Sequence, residues 1–229
     1  MLSLVVSEIF KSIQGETSLT GLPFWFVRLT GCDLRCVYCD STHAFYGGER
    51  IDFETLSTTI FASNTPDDVL FTGGEPLLQI NLPEFVRRFA ALGKRVHIET
   101  HGGRDISTVK PWARVVLDIK TPGSGMWNTK VEAATRANLG LLDERDEIKF
   151  VITSNDDYEW AKRWRTDLSK TRVPVSQILF STALPHETSP GTFHGITAQT
   201  LVESMLRDGL PFRFQLQAHK VLWGNRTGV

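Results

Sequence analysis

Short apolar runs alternate with longer amphipathic ones along almost the whole chain. Residues 24–29, 69–71, 95–98, 114–117, 147–152, 177–180 and 212–216 are rich in Val, Ile, Leu or Phe. Runs of this kind read as strands covered on both faces. Between them, residues 53–62, 82–92, 130–139, 156–168 and 197–208 read as helices, with Asn81 and Asn155 as N-caps and Gly93, Gly140 and Gly209 as C-terminal stops. The alternation predicts βα units around a mainly parallel sheet. No linker, repeat or low-complexity segment divides the 229 residues, so residues 1–229 read as a single domain.

The polar, Gly-rich and Cys-rich segments come just after the apolar runs. Residues 32–39 follow the first run, 72–76 the second and 99–103 the third. Residues 118–120 end the fourth, and 181–185 and 217–220 follow later ones. Active sites of α/β barrels and open sheets sit at the C-terminal edge of the strands, so these segments predict one shared mouth. Composition narrows the classes. Lys and Arg number 25 against 26 Asp and Glu, a net charge of −1, which excludes a strongly basic nucleic-acid binder. No apolar run approaches the roughly 18 residues of a membrane span. The segment Met1–Glu8 has no basic stretch before its apolar residues, so no signal peptide is expected and a cytoplasmic location is.

The chain has three cysteines, Cys32, Cys36 and Cys39, all within eight residues. An odd, clustered set makes a poor disulfide framework and points to metal or redox chemistry. Three thiolates in Cys-x3-Cys-x2-Cys spacing can hold three irons of a [4Fe–4S] cube and leave the fourth iron open. On spacing alone a closed zinc site completed by His43 stays open as an alternative.

Two motifs in this order, the cysteine run with Tyr38 before its last Cys and then Thr72-Gly73-Gly74-Glu75-Pro76, resemble the radical S-adenosylmethionine (SAM) superfamily. Further segments are similar to the 7-carboxy-7-deazaguanine synthase family: residues 10–16, Arg28–Cys32, Cys39-Asp40-Ser41, Ile98-Glu99-Thr100 and Gln217-Ala218-His219-Lys220. The resemblance implies an incomplete (βα)6-type radical SAM barrel. It implies a lyase that turns 6-carboxy-5,6,7,8-tetrahydropterin into 7-carboxy-7-deazaguanine with loss of ammonia, in queuosine and 7-deazapurine biosynthesis. It also implies a [4Fe–4S] cluster, SAM and Mg2+ as cofactors, a homodimer, and an electron donor such as flavodoxin or ferredoxin.

By the same resemblance, Cys32, Cys36 and Cys39 hold the cluster. Gly73, Gly74, Glu75, Glu99, Thr100, Asp118, Ile119 and Lys120 bind SAM. The family commonly has Ser-Pro-Lys where this chain has Asp118-Ile119-Lys120, so only the lysine is kept. Ile13, Gln14, Gly15, Arg28, Thr72 and His219 match substrate positions, and Ser41 stands where relatives carry the threonine that binds Mg2+. Gln14 offers both donor and acceptor groups to a pterin amide edge, and Arg28 suits a carboxylate. No side chain beyond these ligands is read as catalytic. Each has a plainer alternative: Gly73–Pro76 is also a good turn, Ser41 a helix cap, Asp118 and Lys120 a solvated pair, and Arg28 a rim residue. Trp25, Trp112, Trp160, Trp164 and Trp223 read as core or dimer packing, with Trp127 the least certain. Two rival functions remain at this level, another radical SAM enzyme such as a glycyl-radical activase and a non-catalytic zinc-stabilised module.

Overall fold

A computed structural model describes residues 2–62, 66–187 and 192–229; Met1, read above with the N-terminus, lies outside the described residues. The strands are β1 (Ser3–Ile13), β2 (Pro23–Leu29), β3 (Glu49–Asp52), β4 (Asp68–Gly73), β5 (Arg95–Thr100), β6 (Ala113–Asp118), β7 (Glu147–Ile152), β8 (Ile178–Thr182), a small hairpin β9 (His186–Glu187) and β10 (Thr192–Phe193), and β11 (Arg213–Gln215). The helices are α1 (Phe53–Ile60), α2 (Leu82–Ala91), α3 (Thr129–Leu139), α4 (Asn155–Lys162), α5 (Arg165–Leu168), α6 (Ala198–Arg207) and α7 (Ala218–Trp223). One nine-stranded sheet runs β11-β8-β7-β6-β5-β4-β2-β1-β3. From β2 to β11 every pairing is parallel, while β1 pairs antiparallel with β2 and β3. Among the described residues β11 pairs only with β8 and β3 only with β1, so the barrel stays open, as the sequence implied.

Period-2 alternation sorts each parallel strand between two buried faces. Val27 and Leu29, Val69 and Phe71, Val115 and Leu117, and Ile148 and Phe150 pack outward into one core with Leu56, Phe85, Phe89, Tyr158 and Leu201 of the helices. Phe89 of α2 is fully buried against Phe53 at 5.0 Å and Phe71 at 5.9 Å between ring centres. Burial of a ring of that size stabilises by about 1.5–3 kcal/mol. The opposite parity faces inward. Register sets Arg28 beside Thr72 and Asp118 beside Lys149, so polar groups meet at the C-terminal edge.

Several local expectations are corrected. The strand β1 and the helix α7 were not foreseen, and the stretch 156–168 divides into α4 and α5. Asn81 does stand at the N-cap of α2, but its amide donates to the Ser3 carbonyl and makes no capping bond, and Ser154, not Asn155, caps α4 by accepting from Asp157 N–H. Gly93 and Gly209 follow their helices in the left-handed region, whereas Gly140 ends α3 in right-handed geometry. Trp127 packs edge-on against Trp160 and Trp164 at 4.9 and 5.6 Å, while Trp112 and Trp223 are exposed. No helix among the described residues is long and apolar enough to cross a membrane.

Candidate active site

A cavity of about 460 Å3 opens at the C-terminal edge of the parallel strands. All the cluster, SAM, Mg2+ and substrate positions expected from the resemblance line it except Glu75 and Ile119. Ile119 places its side chain in the core, and Glu75 is turned behind the cavity wall. Glu75 is wholly buried; its carboxylate accepts from Thr100 Oγ1 at 2.9 Å, His101 N at 2.9 Å and Leu77 N at 3.0 Å. Glu75 thus braces the loop and Ile119 fills the core with its side chain, which leaves their backbone groups for any contact with SAM.

The cofactor side of the cavity is built from the loops after β2, β4 and β6. Gly73 has φ of 136°, a region closed to most side chains. A Cβ on Gly74 would lie 2.2 Å from the Gly31 carbonyl oxygen and 2.7 Å from Cys32 Cβ, so this strip must be bare backbone. The three cysteines are free and half-buried. Burial raises all three thiols above their ordinary range, Cys39 to about 11, so they are not activated nucleophiles. Thiols of this kind become thiolates when a metal takes the place of their protons. Buried Lys120 donates to Asp118 at 2.7 Å and lies 5.6 Å over the Tyr38 ring. Burial opposes its charge, but Asp118 outweighs that and holds the ammonium firmly protonated. Asp118 Oδ1 is buried without a hydrogen-bond partner, an unmet acceptor at the cavity. The bare Gly73–Gly74 strip, the unmet Asp118 oxygen and the clustered thiols fit a thiolate-bound cluster with an amino acid-like ligand beside it.

Across the cavity lie the other predicted residues. Arg28 donates from Nε to Glu8 at 2.8 Å and from Nη1 to Ser41 Oγ at 3.3 Å, and Ser41 donates to Asp40 at 3.1 Å. Ser41 stands at the start of a short 3-10 turn without capping it; its hydroxyl is taken up by Arg28 and Asp40 at the cavity wall. His43, the fourth ligand of the zinc alternative, bonds Glu8 at 3.2 Å. Gln14 accepts from Glu16 N–H at 2.9 Å. His219 packs over Gly15, where a Cβ would meet its Nδ1 at 2.4 Å. Lys149, which the sequence did not single out, and residues of the family segments left without a role complete this side. Lys149 is buried and donates to Glu16 at 2.7 Å and Glu99 at 2.8 Å. Burial would raise the Glu16 pKa, but Lys149 and then His219 bring it down to about 2. Gln217 donates to Glu16 at 2.9 Å and to Asp40 at 3.2 Å, and Lys220 pairs with Asp40. The signal for Lys149 was available: a lone cation flanked by Ile148 and Phe150 inside a buried strand.

An open parallel sheet with a three-thiol loop after its first parallel strand and a glycine strip after the next defines a radical SAM protein. The Radical SAM superfamily model matches residues 26–188, and the cofactors of that superfamily are a [4Fe–4S] cluster and SAM. The fold is similar to the crystal structure of QueE from Escherichia coli, with a TM-score of 0.68 and 21% identity over 96% of each chain. It is also similar to Streptococcus suis SuiB, with a TM-score of 0.60 and 13% identity over 82% of this chain and 47% of that one. In sequence, it is 37% identical over 227 residues to 7-carboxy-7-deazaguanine synthase of Koribacter versatilis, covering 97% of this chain and 98% of the relative. It is also 37% identical to the enzyme of that name from Chlorobaculum tepidum, covering 96% and 94%. The chain belongs to the 7-carboxy-7-deazaguanine synthase family.

Proposed function

We propose that the chain acts as a radical SAM carbon–nitrogen lyase, converting 6-carboxy-5,6,7,8-tetrahydropterin to 7-carboxy-7-deazaguanine with loss of ammonia in queuosine and 7-deazapurine biosynthesis. Family membership along nearly the full chain carries this reading. When bound, the cluster and SAM supply a 5′-deoxyadenosyl radical. The chain's own residues supply place and shielding. Cys32, Cys36 and Cys39 would hold the cluster, and the Gly73–Gly74 strip, Thr100, Asp118 and Lys120 would receive SAM. Arg28, held by Glu8, offers its Nη atoms to the substrate carboxylate. Gln14 uses its carbonyl oxygen on Glu16 N–H and so turns its amide NH2 to the pterin. Ile13, Gly15, Thr72 and His219 complete that pocket. The Ser41 hydroxyl suits Mg2+, which takes few protein ligands and accepts substrate oxygens. α7 closes one side of the cavity, where water would open side reactions.

The same reading takes residues 1–229 as one catalytic domain of a cytoplasmic homodimer that receives its electron from a flavodoxin or ferredoxin. The test is anaerobically reconstituted protein with SAM, reductant and Mg2+, with and without the carboxy-tetrahydropterin. The expected result is formation of the deazapurine acid, abolished in Cys36→Ala. SAM cleavage that is indifferent to pterin would sink the substrate assignment and favour an activase. Zinc in place of iron, with no cleavage, would leave a binding module.

A further inference from the structure

His101 directly follows β5 and is almost fully buried, yet the proposed chemistry gives it no task. Its Nδ1 accepts from Gly103 N–H at 3.0 Å. A ring nitrogen that accepts cannot carry the proton, so the proton sits on Nε2. That N–H points between two carboxylates, Asp33 Oδ1 at 2.9 Å and Glu75 Oε2 at 3.3 Å. Asp33 neighbours Cys32 in the thiol loop, and its second oxygen is gripped by Arg104 Nη2 at 2.6 Å and Nε at 3.1 Å. Glu75 ends the glycine strip. The imidazole thus ties the strip to the thiol loop on the far side of Cys32. On the near side, Glu75 N–H already reaches the Gly31 carbonyl at 2.8 Å.

We infer that His101, Asp33 and Arg104 are positioning residues of the cofactor site, locking the Cys32 end of the thiol loop to the Gly73–Glu75 strip so that the surfaces receiving cluster and SAM move as one body. The inference rests on the reading of Cys32, Cys36 and Cys39 as cluster ligands. Ligand atoms of Cys32, Asp33 and His101 lie within 4.8 Å of one another, but the set is not a zinc site. The imidazole nitrogen that faces the group carries a proton, and Asp33 is already bonded to Arg104.

The test uses the anaerobically reconstituted full chain and four variants: His101→Leu, His101→Gln, Arg104→Met and Cys32→Ala. Three quantities are read: iron per chain, the rate of cluster bleaching by an iron chelator, and the change in the reduced cluster's EPR spectrum on adding SAM. Removal of a group that orients a metal ligand costs about 10–100-fold in metal retention. His101→Leu should therefore bleach at least about tenfold faster and lose the SAM-dependent spectral change. His101→Gln, which keeps an N–H donor toward Asp33, should recover most of both. Arg104→Met leaves the buried Glu75 bracket intact and should bleach faster than the parent. A role confined to folding would lower the melting temperature and leave the EPR change intact. Parent-like bleaching and EPR in both His101→Leu and Arg104→Met would overturn the inference, as would zinc bound by the parent and lost in His101→Leu. Cys32→Ala that keeps its cluster would overturn the cofactor reading, and the inference with it.

Discussion

Lys149 shows how one residue governs the charge state of the cavity floor. It pairs with both Glu16 and Glu99, whose side chains keep 24% and 22% of their surface exposed. Loss of one partner from a fully buried pair costs about 3–5 kcal/mol, and solvent at the two carboxylates reduces that. Lys149→Met should therefore lose about 2–3 kcal/mol in chemical denaturation, with part restored by adding Glu16→Gln. An unchanged midpoint in Lys149→Met would show that the three groups do not act as a unit. Gly74 offers the opposite case, a residue that matters for what it lacks. A methyl group there would press on the Gly31 carbonyl and Cys32 Cβ, so Gly74→Ala should weaken SAM binding by about tenfold, or 1.4 kcal/mol. Equilibrium dialysis against SAM measures it. Both glycines were legible in the sequence, because backbone approach demands glycine whatever surrounds it. The setting of the Glu75 carboxylate was not legible in the same motif: it is fixed by Thr100 and His101, residues a linear motif does not include.

The elements differ in how they announce themselves. Strands β4 to β8 are largely buried and each carries a short Val-, Ile-, Leu- or Phe-rich run that marks it. Strand β1 carries Glu8, Phe10 and Ser12 on one parity and Ile9 and Ile13 on the other, and its mixed pattern hid an 11-residue strand. Helix α7 is short and exposes Val221, Leu222 and Trp223, so no apolar face marked it. It is fixed instead by Ala218 N–H to the Gly15 carbonyl at 3.0 Å, by Gln217 to Glu16 and by Lys220 to Asp40. Gly15→Ala would drive a Cβ into His219 and lift this helix. The expected outcome is a raised KM for the pterin with iron content unchanged. Lost iron instead would mean that the helix supports the thiol loop as well as the substrate pocket.

Across the whole molecule the carboxylates set the acid limit of stability. Glu16 and Asp68 titrate at about 2 in the folded state; burial raises each, but Lys149 and His219 for the first, and His97 and Arg95 for the second, outweigh it. Asp40 is also held well below the usual carboxylate range, as Lys220 overcomes its burial. A depressed folded pKa stabilises above the unfolded value and the contribution is lost as pH falls through the folded one. Thermal stability should therefore fall progressively as pH drops from about 4.5 toward 2, where these groups take up protons. Lys149→Met should flatten that fall, and an identical pH profile in the variant would show that Glu16 draws its ionisation from elsewhere. The parallel α/β plan, the thiol loop, the glycine strip and the edge at which they meet were already legible in the chain's one-dimensional pattern. Those follow from spacing and strand parity, which are local properties. Which distant polar groups pair was settled in three dimensions: Lys149 with Glu16, 133 residues apart, Gln217 with Glu16, 201 apart, and His101 with Asp33, 68 apart. Ion pairs and hydrogen bonds act over a few ångströms, and strand register and loop path decide which distant residues come that close.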